Sequence, residues 1–319
     1  MTQLHHQCGL TPLTPKDHPH LRPFFKGQSF PLCGYSLTAL IIWKTNLYYP
    51  AYAMGRRDLF IARLYPEAPP KSYFTLPVPG GREWPPEKLK ELCCSHKLTK
   101  VAFVDEAYMA KWGEKNVRRF FSIREQTDYE DYVYRKEDLA ELKGNRYSKK
   151  RNLINQFRKS HVELGRVSVE AVGPDNVEAC RQFLNRWWDL RDEKAQNDEE
   201  AQGEKIACSH ALDLVGIFPD LRGIALRVDG EVAAFGMATD LTHEMADFNF
   251  QKADPTIKGL YQFFDRQCAR MLFDGVSLIN KECDMDDPGL RKAKRSYHPA
   301  YRFKSFELTL KEKDAAMQR

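Results

Sequence analysis

The densest chemistry in this sequence is cationic. Residues 143–159 read KGNRYSKKRNLINQFRK, with seven basic side chains and no acidic one. Read as a helix from about Ser148, the segment turns Leu153, Ile154 and Phe157 toward a core. Lys149, Lys150, Arg151 and Arg158 then face solvent or a ligand. Lysine and arginine presented this way suit phosphate oxygens, singly or as a bidentate fork. The plainer reading is a solvated face between two domains. A second basic cluster, Arg291, Lys292, Lys294 and Arg295, lies within five positions. Both clusters could line one positive cleft for a phosphate-bearing donor. An aminoacyl-tRNA end, a coenzyme A pyrophosphate or an anionic lipid head group would each fit.

Two carboxylates precede the second cluster. Glu282 and Asp284 alternate around Cys283. If the strand expected over 276–280 continues, both point to one face of the sheet. A carboxylate there could take the proton from an attacking amine. Alternatively, the pair neutralises the basic helix that follows. Tyr297 is a candidate general acid, or a core tyrosine with its hydroxyl at the surface. In the loop 252–259, Lys252 and Lys258 could contact phosphate, and Gly259 opens a helix whose N-terminal amides suit an anion. Pro255 removes one of those donors, which weakens a coenzyme A reading. Trp187 and Trp188 either flank a substrate or pack a helix face, the latter expected of Trp187.

The elements that must position these groups follow from pattern. The first half predicts strands over 48–54, 59–64 and 71–76, a helix over 86–96, a strand over 100–104, a short helix over 106–113 and a strand over 117–123. The second half predicts a helix from Asp175 to Leu190 with Val177, Cys180, Phe183, Leu184 and Trp187 on its apolar face. A polar run to Glu204 and a helix over 205–217 come next. A hairpin over 224–237 turns at Asp229-Gly230, which supply the positive φ angles of a type I′ turn. Then come a strand at 245–250, a helix at 259–273, a strand at 276–280, a helix at 288–297 and a closing strand at 301–310. Both halves thus read as a meander, a helix, a strand, a helix and a strand.

Length and composition agree. The 319 residues fit about two domains of ~150 each. The N-terminus has no basic region followed by an apolar run, and no stretch approaches ~18 apolar residues. A cytoplasmic protein without a membrane span is expected. Eight cysteines at irregular spacing, with no C-x-x-C pair, read as reduced thiols, not as a disulfide frame or zinc site. No metal is expected. Residues 1–25 carry four histidines and few apolar residues, and read as a poorly ordered or draped arm.

The element order resembles that of the GNAT fold, in which the central strand and the next one splay apart around an acyl donor. The residues carry a narrower resemblance. Asp131-Tyr132-Val133-Tyr134, Asp138-Leu139, Leu142-Lys143-Gly144 and Lys149 through Phe157 form one block. Asn280-Lys281-Glu282-Cys283-Asp284, Gly289 through Lys294, Ser296-Tyr297 and Pro299 form another. From about Phe30 to Leu310 the chain resembles the bacterial family related to the C-terminal domain of phosphatidylglycerol lysyltransferase. The resemblance implies α/β (α+β) architecture: two tandem GNAT-like domains, each a mixed, mostly antiparallel sheet flanked by helices. The first domain is expected over 26–141, and the second over 142–319, beginning with the basic helix. It also brings Asn152 and Asn280 into the donor-binding set, beside Lys149, Lys150, Arg151, Lys252, Lys258, Gly259, Arg291, Lys292 and Lys294. The chain departs from the family pattern at Gln251, where an acidic residue is expected, at Cys283 and at Asp286-Asp287-Pro288. The expected activity is transfer of an acyl or aminoacyl group, from aminoacyl-tRNA or acyl-CoA, to an amine or hydroxyl. Glu282 or Asp284 would be the base. The alternatives are a coenzyme A-dependent N-acetyltransferase, and a non-catalytic module for a phosphorylated ligand, nucleic acid or anionic lipid.

Overall fold

The computed structural model describes residues 4–191 and 193–311. The apolar alternation after Tyr48 builds a hairpin of β2 (Tyr49–Met54) and β3 (Leu59–Leu64), turning at Gly55, whose N–H donates to the Asp58 carbonyl at 2.8 Å. On the outer edge β2 pairs with β1 (Thr11–Pro12). On the inner side β3 pairs with the short β4 (Tyr73–Phe74), which meets β5 (Lys100–Asp105) in parallel at one position, Phe74 against Val101. The strand β6 (Phe121–Glu125) completes this part. Helices α1 (Leu4–Gln7), α2 (His18–Phe25), α3 (Leu37–Ile42), α4 (Pro86–Ser95), α5 (Glu106–Trp112) and α6 (Glu114–Val117) accompany it. Pro86 opens α4, and Leu89, Leu92 and Cys93 form its buried face. Asp105 caps α5 by accepting the Tyr108 N–H at 2.9 Å.

The expected N-terminal arm is instead built into this unit. Leu4, Cys8, Leu10, Leu13 and Leu21 are buried, so the segment has an apolar side that its polar composition masks. Two of its histidines are used in packing. The His5 ring bonds the Tyr49 hydroxyl at 3.0 Å, and the buried His18 ring bonds the Thr38 hydroxyl at 3.1 Å.

The second sheet holds β7 (Asp131–Arg135), β8 (Val167–Ala171), β9 (Arg222–Val228), β10 (Glu231–Asp240), β11 (Met245–Ala253), β12 (Leu278–Asn280) and β13 (Tyr301–Phe303). Its helices are α7 (Lys136–Glu141), α8 (Ser148–Phe157), α9 (Val177–Asp189), α10 (Glu193–Gln196), α11 (Glu199–Leu214), α12 (Leu260–Met271) and α13 (Pro288–Arg295). The β9–β10 hairpin turns at Asp229 and Gly230, with φ of 52° and 86°, as its Asp-Gly sequence requires. The α9 stripe buries Cys180, Phe183 and Leu184 as expected, but Trp188 takes the core place expected of Trp187.

The final strand β14 (Ser305–Leu310) leaves this sheet and enters the first, between β5 and β6. Reciprocally, β7 from the first half lies against β12 in the second sheet. The strand orders are β1-β2-β3-β4-β5-β14-β6 and β13-β7-β12-β11-β10-β9-β8. The two compact units are accordingly Met1–Asp131 with Cys283–Pro288 and Arg302–Arg319, and Tyr132–Glu282 with Gly289–Tyr301. The expected boundary after residue 141 therefore moves, and the expected closing strand over 301–310 breaks at Lys304 into two strands of different sheets. Pairing partners are chosen by long-range hydrogen bonds, which local alternation does not encode. The strand expected over 117–123 starts later, at Phe121, because α6 occupies its first residue.

Candidate functional site

In the second unit the parallel pair β11–β12 runs only from Met245/Leu278 to Asp247/Asn280. β12 ends there, and Glu282 adopts a left-handed φ of 57°. Its N–H is tied back to the Asn280 side-chain oxygen at 2.7 Å. On β11 the register with β10 shifts between Asp247 and Phe250, so two residues, Phe248 and Asn249, oppose one. Such a bulge re-aims the residues that follow. Gln251 is thereby turned toward α12, where its amide donates to the Tyr261 carbonyl at 3.4 Å. Lys252, the next residue, points to the opposite face.

Polar side chains gather where the strands part. Lys281 Nζ donates to Asp265 Oδ1 on α12 at 2.6 Å and to Gln251 Oε1 at 3.3 Å. It also lies 5.3 Å from the Phe248 ring centre and 5.5 Å from that of Tyr297. Tyr297 bonds Asp265 through its hydroxyl. Burial, followed by the Asp265 charge, holds that hydroxyl well above the ordinary tyrosine pKa. Lys150 of α8 stands over the same ring at 3.9 Å. Burial pulls Lys150 below the usual lysine range; Asp265 opposes this and Lys281 adds to it. On the other face, Lys252 is buried against Glu204 of α11 at 2.6 Å and over Trp187 at 4.3 Å. Asn249 donates to Asp247 at 2.9 Å and to Glu282 at 3.3 Å.

The residues expected from sequence are distributed unevenly around this centre. Lys150 and Tyr297 belong to it, and the Tyr147 hydroxyl bonds the Tyr297 carbonyl at 3.1 Å, so the two basic segments do meet in this unit. Arg151 does not face a ligand. Its guanidinium donates to the Leu142 and Gly144 carbonyls at 2.6 Å and ties the start of α8 to the end of α7. Lys294 turns inward to the carbonyls of Lys281 and Glu282, the latter at 3.1 Å. Lys149, Asn152 and Lys292 are exposed, and Arg291 is partly buried. Lys252 is an interior ion pair, not a phosphate contact. Gly259, with φ of 82°, marks the contact of α12 with α8, since a Cβ there would stand 2.2 Å from the Leu153 carbonyl oxygen. Asn280 is fully buried and serves the Glu282 turn. Glu282 and Asp284 do not alternate on a continuing strand, because the strand has ended. Asp284 is buried in its own loop and accepts the Asp286 N–H at 3.0 Å.

Three groups at the centre escaped the sequence reading. Asp265 lies on the apolar stripe of α12 beside Leu260, Phe264 and Cys268, and a carboxylate on such a stripe is the available signal. Lys281 sits inside a family-like block without having been singled out. Glu204 was read as part of a solvent-facing run. Lys258 lines an open depression of about 590 Å³ with Gln156, Lys159, His161 and Ile257, next to the π-type turn Arg158–Val162 that ends α8.

Phosphatidylglycerol lysyltransferase C-terminal domains match residues 31–306. The chain belongs to that family. Its fold is shared by a conserved protein of unknown function from Bacteroides thetaiotaomicron, at 26% identity and a TM-score of 0.84, covering 95% of this chain and 99% of the other. The C-terminal domain of a candidate lysylphosphatidylglycerol synthetase from Agrobacterium fabrum matches at 13% identity and a TM-score of 0.55, covering 88% and 89%. No curated protein matches the sequence. Membership of the family supports an acyltransferase of general kind. Among the described residues no helix is long and apolar enough to cross a membrane.

Proposed function

We propose that this chain moves an aminoacyl group from an activated ester, of the aminoacyl-tRNA kind, to a hydroxyl or amine on a phosphate-bearing acceptor. The observation that carries the reading is the gap beyond Asp247 and Asn280, where Lys281, Asp265, Tyr297 and Lys150 gather. In the reaction the acceptor oxygen or nitrogen bonds to the ester carbonyl carbon, and the carbon–oxygen bond to the donor breaks. Lys281 and Lys150 oppose the charge that develops on the carbonyl oxygen. The Tyr297 hydroxyl, kept protonated by its raised pKa, gives a proton to the departing oxygen. Glu282, beside Asn249, takes the acceptor's proton. Asp265 positions both Lys281 and Tyr297. Lys149 and Lys292, exposed on α8 and α13, suit the donor's phosphates.

A thioester donor is the second reading, favoured by the depression lined by Lys159, His161 and Lys258. Several amides there are already engaged. The Thr256 N–H bonds Asp254, the Ile257 N–H bonds the Asp254 carbonyl and the Leu260 N–H bonds the Ile257 carbonyl. The aminoacyl ester is therefore preferred. The test is to mix the protein with labelled aminoacyl-tRNAs and, separately, with acyl-CoA. Binding and label transfer from aminoacyl-tRNA are expected, and Glu282→Gln should slow transfer. Absence of binding to both donors discards the transferase. Salt-sensitive binding without transfer would instead favour the non-catalytic module.

A further inference from the structure

The first unit contains a cation that has no acidic partner among the described residues and is set in an aromatic wall. Arg63 lies on β3 directly opposite Tyr73 on β4. Its guanidinium carbon stands 4.3 Å from the Tyr48 ring centre and 5.8 Å from that of Tyr73. Tyr65 stacks near Tyr48 at 5.1 Å, and Phe103 links Tyr73 to Tyr129 with ring separations of 5.8 and 5.5 Å. Burial works against the Arg63 charge, and the neighbouring hydroxyls of Tyr48, Tyr73, Tyr65 and Tyr129 favour it. Among the described residues no carboxylate, carbonyl or hydroxyl accepts a hydrogen bond from Arg63, although a guanidinium has five N–H donors.

The place is built, not incidental. β4 and β5 pair in parallel only at Phe74 and Val101, and just beyond, the buried Tyr35 hydroxyl bridges the strands by accepting the Leu76 N–H at 3.1 Å and donating to the Phe103 carbonyl. Phe103 sits in the interior of β5 with φ of 54°, a conformation that costs a bulky residue energy. It is held from both sides. Its N–H donates to Gln126 Oε1 at 2.9 Å, and its carbonyl accepts the Tyr35 hydroxyl at 2.9 Å. That conformation sets the Phe103 ring between Tyr73 and Tyr129.

We propose that Arg63 and its tyrosines form an oxyanion site in the first unit, for a carboxylate or a phosphate group of a small ligand. The planar fork donates to two oxygens of such a group, and the Tyr65 and Tyr73 hydroxyls can donate to it. The aromatic faces hold the guanidinium in place without neutralising it. The site is independent of the reaction proposed for the second unit.

The test uses the full chain with labelled arginine Nε–H groups, titrated separately with inorganic phosphate and with acetate and followed by NMR. Arg63→Lys, which keeps the charge but loses the fork, assigns the signal. A saturable shift of the Arg63 signal is expected with at least one anion, half-complete at about 1 mM. Response to phosphate alone identifies a phosphate ligand, and response to acetate alone a carboxylate. Arg63→Lys should weaken the interaction at least about tenfold, read on whole-protein amide shifts. No saturable shift up to about 50 mM of either anion overturns the proposal. So does equal affinity in Arg63→Lys. If that variant does not fold, Tyr48→Phe assigns the signal and the wild-type titration decides.

Discussion

Each unit holds a short stretch of parallel pairing, and the cations near the two stretches meet different chemistry. In the second unit β11 and β12 part after Asp247 and Asn280, and of the cations nearby Lys281 is paired with Asp265 and Lys252, on the other face, with Glu204, while Lys150 stands over the Tyr297 ring. In the first unit β4 and β5 pair only at Phe74 and Val101, and the cation beside them, Arg63, is walled by tyrosines. A carboxylate partner offsets part of the cost of burying a cation, which can then be lent to a transient charge. A cation faced only by aromatic rings keeps its hydrogen-bond donors for a stable anion. On the two proposals made above, one place would serve a reaction and the other the binding of an anion.

The sharpest way to break this contrast is to remove one paired cation. Lys281→Met should lower the transfer rate by about 10²–10³-fold and, by stranding the buried Asp265, cost about 3–5 kcal/mol of stability. The double variant Lys281→Met/Asp265→Leu should recover much of the stability but none of the activity. Recovery of transfer in the double variant would refute the role of Lys281. Denaturant melts and single-turnover assays read both quantities.

The helices that follow the first strand of each parallel pair offer a second contrast. α12 begins at Gly259, pressed against Leu153, whereas α4 begins at Pro86. Gly259→Ala should cost about 2–4 kcal/mol, through strain at positive φ and a backbone clash. Pro86→Ala should cost under about 1 kcal/mol. Thermal melts compare them.

Acid stability tests the other ion pair. Burial alone would raise the Glu204 pKa, but Lys252 outweighs it and the carboxyl lies below its usual value. A carboxylate lowered on folding contributes stability that is present above its unfolded pKa and lost as pH falls through its folded pKa. Lys252 is raised by Glu204 against its own burial, so its contribution is lost as pH rises past the ordinary lysine range. Glu204→Gln should therefore flatten part of the acid limb of melting temperature against pH. An unchanged limb would contradict the pairing.

The smallest effect concerns Lys150. Its lowered pKa leaves more neutral amine at mildly alkaline pH, so it should react with an amine-selective acylating reagent at lower pH than an ordinary lysine. Peptide mapping after partial labelling measures the order.

Much of this could be read along the chain. The Asp229-Gly230 turn, the apolar stripes of α9 and α12 and the basic helix α8 are local patterns with local causes, and the structure has them. Lys150 and Tyr297 were visible as chemistry-bearing residues for the same reason. Asp265, Lys281 and Arg63 were less so, although a carboxylate on an apolar helix stripe and an arginine inside Leu59-Phe60-Ile61-Ala62-Arg63-Leu64 are detectable anomalies.

Element type, approximate order and family followed from the sequence alone, because periodicity and turn chemistry act over a few residues. Tertiary structure alone decided that β7 and β14 exchange sheets, that the N-terminal segment is part of a core, and which carboxylate each lysine meets. Those outcomes depend on hydrogen bonds and charges between residues far apart in the chain. Their energies depend on burial that no local window contains.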